Sequence, residues 1–193
     1  MNKIKNIFLA GALSTSALGF SQVAIGKANI STLSDNVTPN PSISLEFGNG
    51  NRGIILPWVE NAAAVVTAGV VDGTIIYDRD DKKVKYRRNG TWFDLSVNTE
   101  GTMVDPVSGV NGETLQTSAT EKASAKAAIG TNGATDSTPG ILVLTDTTKA
   151  MVLPKVASPH LNIINPAAGM MVYDTTAKQL AVFNGTVWSF WKP

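Results

Sequence analysis

The sequence predicts a mainly β protein that contains two copies of a small β-meander unit, joined by a low-complexity connector with at most one short helix. The first observation is an internal repeat, in which four landmarks recur in the same order 95 to 97 residues further on. The second is an Asn-Gly dipeptide ahead of an aromatic segment in each copy. The third is the stretch between the copies, where Gly, Ser, Thr, Asn and Ala predominate.

The landmarks are a Leu-Pro pair, a Tyr-Asp pair, an Asn-Gly-Thr turn and a tryptophan. In the first copy they are Leu56-Pro57, Tyr77-Asp78, Asn89-Gly90-Thr91 and Trp92. In the second copy they are Leu153-Pro154, Tyr173-Asp174, Asn184-Gly185-Thr186 and Trp188. We therefore expect one β-meander at residues 41–96, called repeat 1, and another at residues 141–193, called repeat 2.

Each repeat predicts three strands. The β-branched and aromatic segments that indicate them are residues 75–77, 83–87 and 91–95 in repeat 1, and residues 171–173, 179–183 and 187–191 in repeat 2. Asn-Gly tolerates the positive φ of a type I′ turn, so we expect that turn in both hairpins. Because a lone meander is marginally stable in water, each must pack on its sister, on the Leu-Pro segment or on another chain.

The two remaining parts of the chain flank repeat 1. Residues 1–21 combine a basic start, an apolar run and a small residue at Ser21, which predicts a signal peptide cut after Ser21 and an N-terminal extended segment at residues 22–40. Polar residues at 14–16 interrupt the apolar run, so we expect no transmembrane anchor in the mature chain. The connector, residues 97–140, predicts one short helix over residues 120–128.

Composition argues against several classes of function. The 193 residues carry a net charge of +1, which lacks the basic excess of a nucleic-acid binder. There is no cysteine for a disulfide, a thiolate zinc site or a nucleophile, and His160 is the single histidine, with no Gly-x-Ser-x-Gly motif to accompany it. We therefore expect no enzymatic activity and no cofactor.

Calcium is the metal that the sequence brings into question. Asp78, Asp80 and Asp81 place three carboxylates in one turn, and calcium prefers oxygen ligands. The corresponding turn of repeat 2 keeps a single carboxylate, Asp174, so the turn does not need an ion to form. We expect no metal site.

A basic and aromatic hairpin is the candidate binding site. Six basic residues lie between positions 79 and 88, and the proposed ligand-binding residues are Lys83, Lys85, Tyr86, Arg87 and Trp92. One hypothesis is a patch for an anionic polysaccharide or a membrane surface, with aromatic rings stacking on sugar faces. The other is a solvated hairpin whose charges protect an edge strand from unwanted pairing.

The aromatic residues of repeat 2 have a structural interpretation as well. Trp92 and Trp188 occupy matched positions, and we expect both to anchor their hairpins on the core. The aromatic segment 188–193 should either dock internally or be covered by a neighbouring molecule.

Four short segments of the chain form a recurring set of motifs. They are Gln22-Val23-Ala24-Ile25-Gly26, Gly53-Ile54-Ile55-Leu56-Pro57, Thr74-Ile75-Ile76-Tyr77-Asp78 and Asn89-Gly90-Thr91-Trp92. Together they resemble secreted or surface-exposed proteins of Bacteroidota. Similar hairpins occur in phage tail-fibre-like proteins. The sequence departs from that pattern at Trp58 and Lys155, where arginine is frequent. Most members of the family have no known function.

The resemblance implies an exported, non-enzymatic surface structural or adhesion-type module, secreted or at the cell surface, that associates with itself or with a surface partner. The alternative is a carbohydrate-binding module that uses the basic hairpin. The triplets that begin at Asp136, Asp146 and Asp174 also resemble O-glycosylation signals of exported Bacteroidota proteins, with Ser137, Thr147 and Thr175 as acceptors.

Overall fold

The computed structural model describes residues 22–65, 70–97, 100–117, 119–120, 122 and 124–192. The predicted signal peptide, residues 1–21, lies outside this part of the chain. Fourteen strands and two short helices occur in the part described, so the predicted mainly β fold is confirmed. The strand units repeat along the chain in a solenoid-like arrangement.

The elements lie in the following order along the chain. The N-terminal segment and repeat 1 contain β1 (Val23–Ile25), β2 (Ile43–Phe47), β3 (Ile54–Ile55), β4 (Trp58–Val59), β5 (Ile75–Asp78), β6 (Lys83–Arg88) and β7 (Thr91–Asp94). The connector contains α1 (Gly112–Thr117) and β8 (Ala127–Ile129). Repeat 2 contains β9 (Leu142–Leu144), β10 (Ala150–Val152), β11 (Lys155–Val156), α2 (Pro159–Asn162), β12 (Met170–Asp174), β13 (Gln179–Phe183) and β14 (Trp188–Trp191).

Both predicted meanders are confirmed, and each gains a fourth strand from its Leu-Pro segment. The sheet orders are β4-β5-β6-β7 and β11-β12-β13-β14. In each sheet the first pair is parallel and the other two are antiparallel. The tyrosine of the second strand lies opposite Trp58 in repeat 1 and opposite Lys155 in repeat 2. The two repeats therefore share one topology and one register.

The two Asn-Gly turns differ. Asn89 and Gly90 have φ of 49° and 71°, as a type I′ turn requires. The same prediction for repeat 2 is wrong, because the φ of Asn184 is not positive. The loop between β13 and β14 is longer than the one between β6 and β7, and the Asn184 Oδ1 instead accepts hydrogen bonds from the N–H groups of Thr186 at 2.9 Å and Val187 at 2.8 Å.

Two further sheets join distant parts of the chain. In the first, β1 and β10 flank β2, and all three strands are parallel. The second is the parallel pair β8-β9. Parallel partners need a long connection and leave no short turn signal between them, which is why the sequence did not predict these sheets.

The helix predicted over residues 120–128 is wrong where the structure describes it. Residues 127 and 128 belong to β8, and the connector helix is α1 instead. The segment has no apolar stripe that would hold a helix on the core, whereas as a strand it gains a ladder with β9. Long-range pairing thus outweighs a weak local preference.

The two repeats pack against each other around one shared core. Tyr77, Val84 and Leu95 of repeat 1 meet Ala168, Met171 and Val182 of repeat 2 in a single buried cluster. β3 of repeat 1 also pairs antiparallel with β12 of repeat 2. A second, smaller cluster lies on the other face of the repeat 2 sheet, with Trp188 packed against it as expected.

Candidate functional site

The predicted binding residues lie on two faces of the repeat 1 sheet. Side chains alternate along β6, so Lys83, Lys85 and Arg87 share one face while Tyr86 lies on the other. Tyr86 packs against the shared core and contacts Phe93, with 5.5 Å between the ring centroids. Trp92 is the β7 partner of Arg87 and belongs to the basic face, so the expectation that it anchors its hairpin on the core is wrong. Tyr86 is therefore separated from the other four residues.

Most of the basic residues of this hairpin do not lie on an edge strand. β6 lies between β5 and β7, so the edge-protection interpretation is wrong for the strand that carries most of the basic residues. That interpretation rested on sequence position, which does not reveal strand order within a sheet.

Two of the lysines are neutralised within the chain. The Nζ of Lys83 lies 2.8 Å from the Asp94 carboxylate. The Nζ of Lys85 lies 2.8 Å from Asp78 and 2.5 Å from Asp81. The guanidinium of Arg87 lies over the Trp92 ring, 5.6 Å from its centroid. Within the predicted patch, the Arg87–Trp92 pair therefore remains the candidate for contact with a ligand.

A buried aspartate organises the first turn of each repeat, a role that the sequence analysis missed. Asp78 accepts hydrogen bonds from the backbone N–H groups of Ala62 at 2.8 Å and Asp80 at 3.0 Å. Asp174 accepts the corresponding bonds from Ser158 at 3.1 Å and Thr176 at 2.9 Å. Each carboxylate thus ties its turn to the connection that follows the Leu-Pro segment. The matched Tyr-Asp landmark was the signal that could have revealed this.

Both carboxyl groups have a lowered pKa. Burial alone would raise the pKa of Asp78, but the hydrogen bonds from the Lys85 ammonium and the Ala62 N–H outweigh it. Burial would likewise raise the pKa of Asp174, and the backbone hydrogen bonds from Ala177, Ser158 and Thr176 outweigh it. Both groups therefore stay ionised in the folded protein at neutral pH.

Asp78 and Asp81 of the Asp-rich turn use their carboxylates for internal contacts. The Lys85 ammonium lies between Asp78 and Asp81, in the position that a cation would need. Within the described ranges, no group of three or more histidine or acidic side chains could hold a metal ion. His160 lies on α2 and meets Phe190 edge-on, with 5.6 Å between the ring centroids.

The three candidate glycosylation residues, Ser137, Thr147 and Thr175, are all exposed. In two of the triplets the preceding aspartate, Asp136 or Asp174, accepts a hydrogen bond from the N–H group two residues on. In these two triplets the central hydroxyl therefore lies in an exposed loop that the aspartate holds in place.

The aromatic C-terminal segment is docked on repeat 1. The indole N–H of Trp191 donates to the Leu95 carbonyl at 2.6 Å, and the N–H of Val97 donates to the Ser189 hydroxyl at 2.8 Å. An open hollow of about 390 Å³ lies along this junction. Val97, Phe190 and Trp191 border it and remain exposed; we call these three residues the aromatic rim.

Among the residues that the structure describes, no helix has the length and apolar character needed to cross a bilayer.

Comparison with known proteins gives a match for the C-terminal third of the chain. Residues 128–192 match the family model described as a phage tail like trimerisation region. No curated protein and no solved structure matches the chain. The matched region begins in β8 and extends beyond β14, so it contains the β8-β9 pair and the whole repeat 2 meander. The expected resemblance to phage tail-fibre-like proteins is confirmed for this region.

Proposed function

We propose that the chain is an exported, non-enzymatic structural module that associates with itself into a trimeric, fibre-type assembly at the cell surface. The observation that carries this proposal is the match of residues 128–192 to a phage tail like trimerisation region. The resemblance of the N-terminal segment and repeat 1 to surface-exposed proteins supports the location. An adhesive role belongs to the same proposal.

Exposed apolar side chains support self-association. The aromatic rim lies where the two repeats meet, and Ile141 and Leu142, beside and within β9, are 61% and 49% exposed. Large exposed apolar side chains rimmed by polar groups are typical of protein interaction surfaces. Association would remove part of this area from water.

The assembly can be tested by multi-angle light scattering on residues 22–193 over a concentration series. We expect the mass of three chains at micromolar concentration. A mass of one chain at every concentration would contradict the proposed function. Sedimentation velocity on the same samples separates a compact trimer from an open filament by its frictional ratio.

Export can be tested separately. We propose a signal peptide at residues 1–21, an extended segment at 22–40, the repeats at 41–96 and 141–193, and a connector at 97–140. When the full chain is expressed in a bacterial host, the exported product should begin at Gln22 by intact mass. Retention of the uncut chain in the cytoplasm would contradict this proposal.

A glycan-binding role is the second candidate, and the Arg87–Trp92 pair is the observation that favours it. A guanidinium over an indole ring on one sheet face presents both a charge and a stacking surface to an anionic sugar. Changing Arg87 to Ser together with Trp92 to Ala should reduce retention on heparin, whereas changing the exposed Arg52 to Ser should not. Equal retention of all three proteins would dispose of this candidate.

O-glycosylation of Ser137, Thr147 and Thr175 is a further proposal, supported by the exposure of all three hydroxyls. Protein purified from its native source should exceed the mass of the bare processed chain. A mass equal to that of the bare chain would rule the modification out.

A further inference from the structure

The internal repeat extends upstream of the Leu-Pro landmark. β1 and β8 each end at an isoleucine that a glycine follows, in Ile25-Gly26 and Ile129-Gly130. Each strand pairs in parallel with the next strand along the chain. The carbonyl of Ile25 accepts the N–H of Gly48 at 2.8 Å, and that of Ile129 accepts the N–H of Thr145 at 2.8 Å. β1-β2 and β8-β9 are therefore counterparts.

Each full unit thus contains a parallel strand pair, the Leu-Pro segment and a meander. Unit 1 runs from β1 to β7 and unit 2 from β8 to β14. The sequence analysis missed the strand pairs because the turns that join their strands differ in length, which breaks the constant spacing of the other landmarks.

The contact between the two units is head to tail. Unit 1 contributes the outer edge of β2, which β10 of unit 2 covers in parallel. Unit 1 also contributes β3, which pairs antiparallel with Met170 and Met171 of β12. The surfaces used by the two units are different, so the contact is heterologous, and such a contact can be repeated by further copies.

The matching surface of unit 2 is open. β9 is the counterpart of β2, but β8 is its single strand partner in the part of the chain that the structure describes. Because the Ile141 carbonyl accepts from Ala127 and the Thr145 N–H donates to Ile129, the backbone groups of Leu142 and Leu144 face the other edge.

This open edge lacks the usual protection. The segment Gly140-Ile141-Leu142-Val143-Leu144-Thr145 contains no charge and no proline, and Leu142 is 49% exposed. Natural proteins block or cover such an edge because it templates pairing with another chain. In unit 1 the same edge is covered, by β10.

We propose that β3 of a second copy of this chain covers the open edge of β9, in parallel, and so repeats between chains the contact that unit 1 makes with unit 2. This assignment rests on the proposed self-association and specifies its surface. The strand that covers β9 is β3, because β3 is the counterpart of β10 and lies 97 residues before it. β9 lies 97 residues after its own counterpart, β2, so the pair β3–β9 corresponds to the pair β10–β2.

That spacing also fixes the register. Met151 opposite Leu45 and Val152 opposite Glu46 become Ile54 opposite Leu142 and Ile55 opposite Val143. Among the described strands, β3 pairs only with β12, so its other edge is available, and Ile55 is 57% exposed. By the same repetition, β10 of the first chain meets the start of β5 in the second.

Charged substitutions test each side of the contact. Leu142→Lys and Ile55→Lys should each convert the assembly to single chains in light scattering, because each places an ammonium in the intermolecular ladder. Leu161→Lys, at a leucine outside any strand, is the control and should leave the assembly intact. Circular dichroism checks that each variant keeps its β-structure.

Mixing the two variants separates loss of contact from loss of folding. Leu142→Lys chains keep an intact β3, and Ile55→Lys chains keep an intact β9 edge, so a heterologous contact predicts two-chain complexes in the mixture. No complex in the mixture, with both variants folded, would overturn the assignment.

A cross-link tests the register. The chain has no cysteine, so Ile55→Cys and Val143→Cys chains each carry one thiol. Under oxidation, the mixture should form a disulfide-linked pair that contains one of each variant, while Ile164→Cys mixed with Val143→Cys should not. If the wild-type chain is a trimer, both lysine variants are also trimers and the cross-link does not form, the inference is overturned and the proposed function stands. A wild-type single chain contradicts the proposed function itself.

Discussion

The hydroxyl of Tyr77 in repeat 1 donates a hydrogen bond of 3.0 Å to the main-chain carbonyl of Asn184 in repeat 2. Both residues are fully buried. The same carbonyl accepts the N–H of Thr102 at 3.2 Å, so the connector is fastened at this point as well. A landmark tyrosine of one repeat thus binds the landmark turn of the other, and this buried hydrogen bond joins the two repeats.

Removal of this hydroxyl should weaken the fold. We expect Tyr77→Phe to lower the free energy of unfolding by about 1–2 kcal/mol, because it leaves a buried carbonyl with one partner fewer. Urea unfolding monitored by circular dichroism measures the change. The control is Tyr173→Phe, at the half-buried counterpart in repeat 2, where the loss should be smaller because the site is less buried. Equal losses would contradict a special role for Tyr77.

Gly53 should tolerate no larger side chain. A Cβ at this position would overlap the Met170 Cγ and lie 2.8 Å from the Val172 Cγ1, so β3 could not approach β12 as closely. We expect Gly53→Ala to lower the free energy of unfolding by about 1–3 kcal/mol through overpacking. Asn51→Ala, at an exposed neighbour, should stay within about 0.5 kcal/mol of the wild type. Wild-type stability of Gly53→Ala would show that the repeats do not meet here.

The Lys85 ion pair should matter more than other ion pairs of the hairpin. The Asp78 side chain is 4% exposed, so Lys85→Met leaves a buried carboxylate without its ammonium. We expect a loss of about 3 kcal/mol in the free energy of unfolding. Lys82→Met should cost much less, because its partner Glu100 is 80% exposed and water screens the pair. Similar losses for the two variants would argue against the buried pair.

Acid should unfold the chain through its buried aspartates. The folded-state pKa values of Asp78 and Asp174 lie below the ordinary value, so their stabilisation is full above the unfolded pKa of about 3.9 and is lost as the pH falls through the folded values. The midpoint of thermal unfolding should be steady between about pH 7 and pH 5 and fall below about pH 4.

Asp174→Asn provides the check on this pH dependence. The variant cannot take up a proton at position 174, so its midpoint should fall less steeply with acid than that of the wild type. Identical slopes for the two proteins would show that Asp174 is not among the groups that respond to acid.

Local patterns in the sequence predicted the meanders well. Alternation in β6 and the Asn89-Gly90 turn are short-range signals, and the structure confirms both. The ion pairs within the predicted binding patch could not be predicted in this way, because the partners of Lys83 and Lys85 depend on which strand and which turn lie beside them. A list of basic and aromatic residues does not carry that information.

By itself, the sequence determined that the chain is mainly β, that a meander occurs twice and where its hairpins turn, because each of these follows from residues a few positions apart. Tertiary structure alone decided that the repeats share one core, that Tyr77 reaches Asn184, and that β2 is covered while β9 is open. These relationships join residues about a hundred positions apart, and their free energy comes from burial and from strand pairing between segments that no local pattern connects.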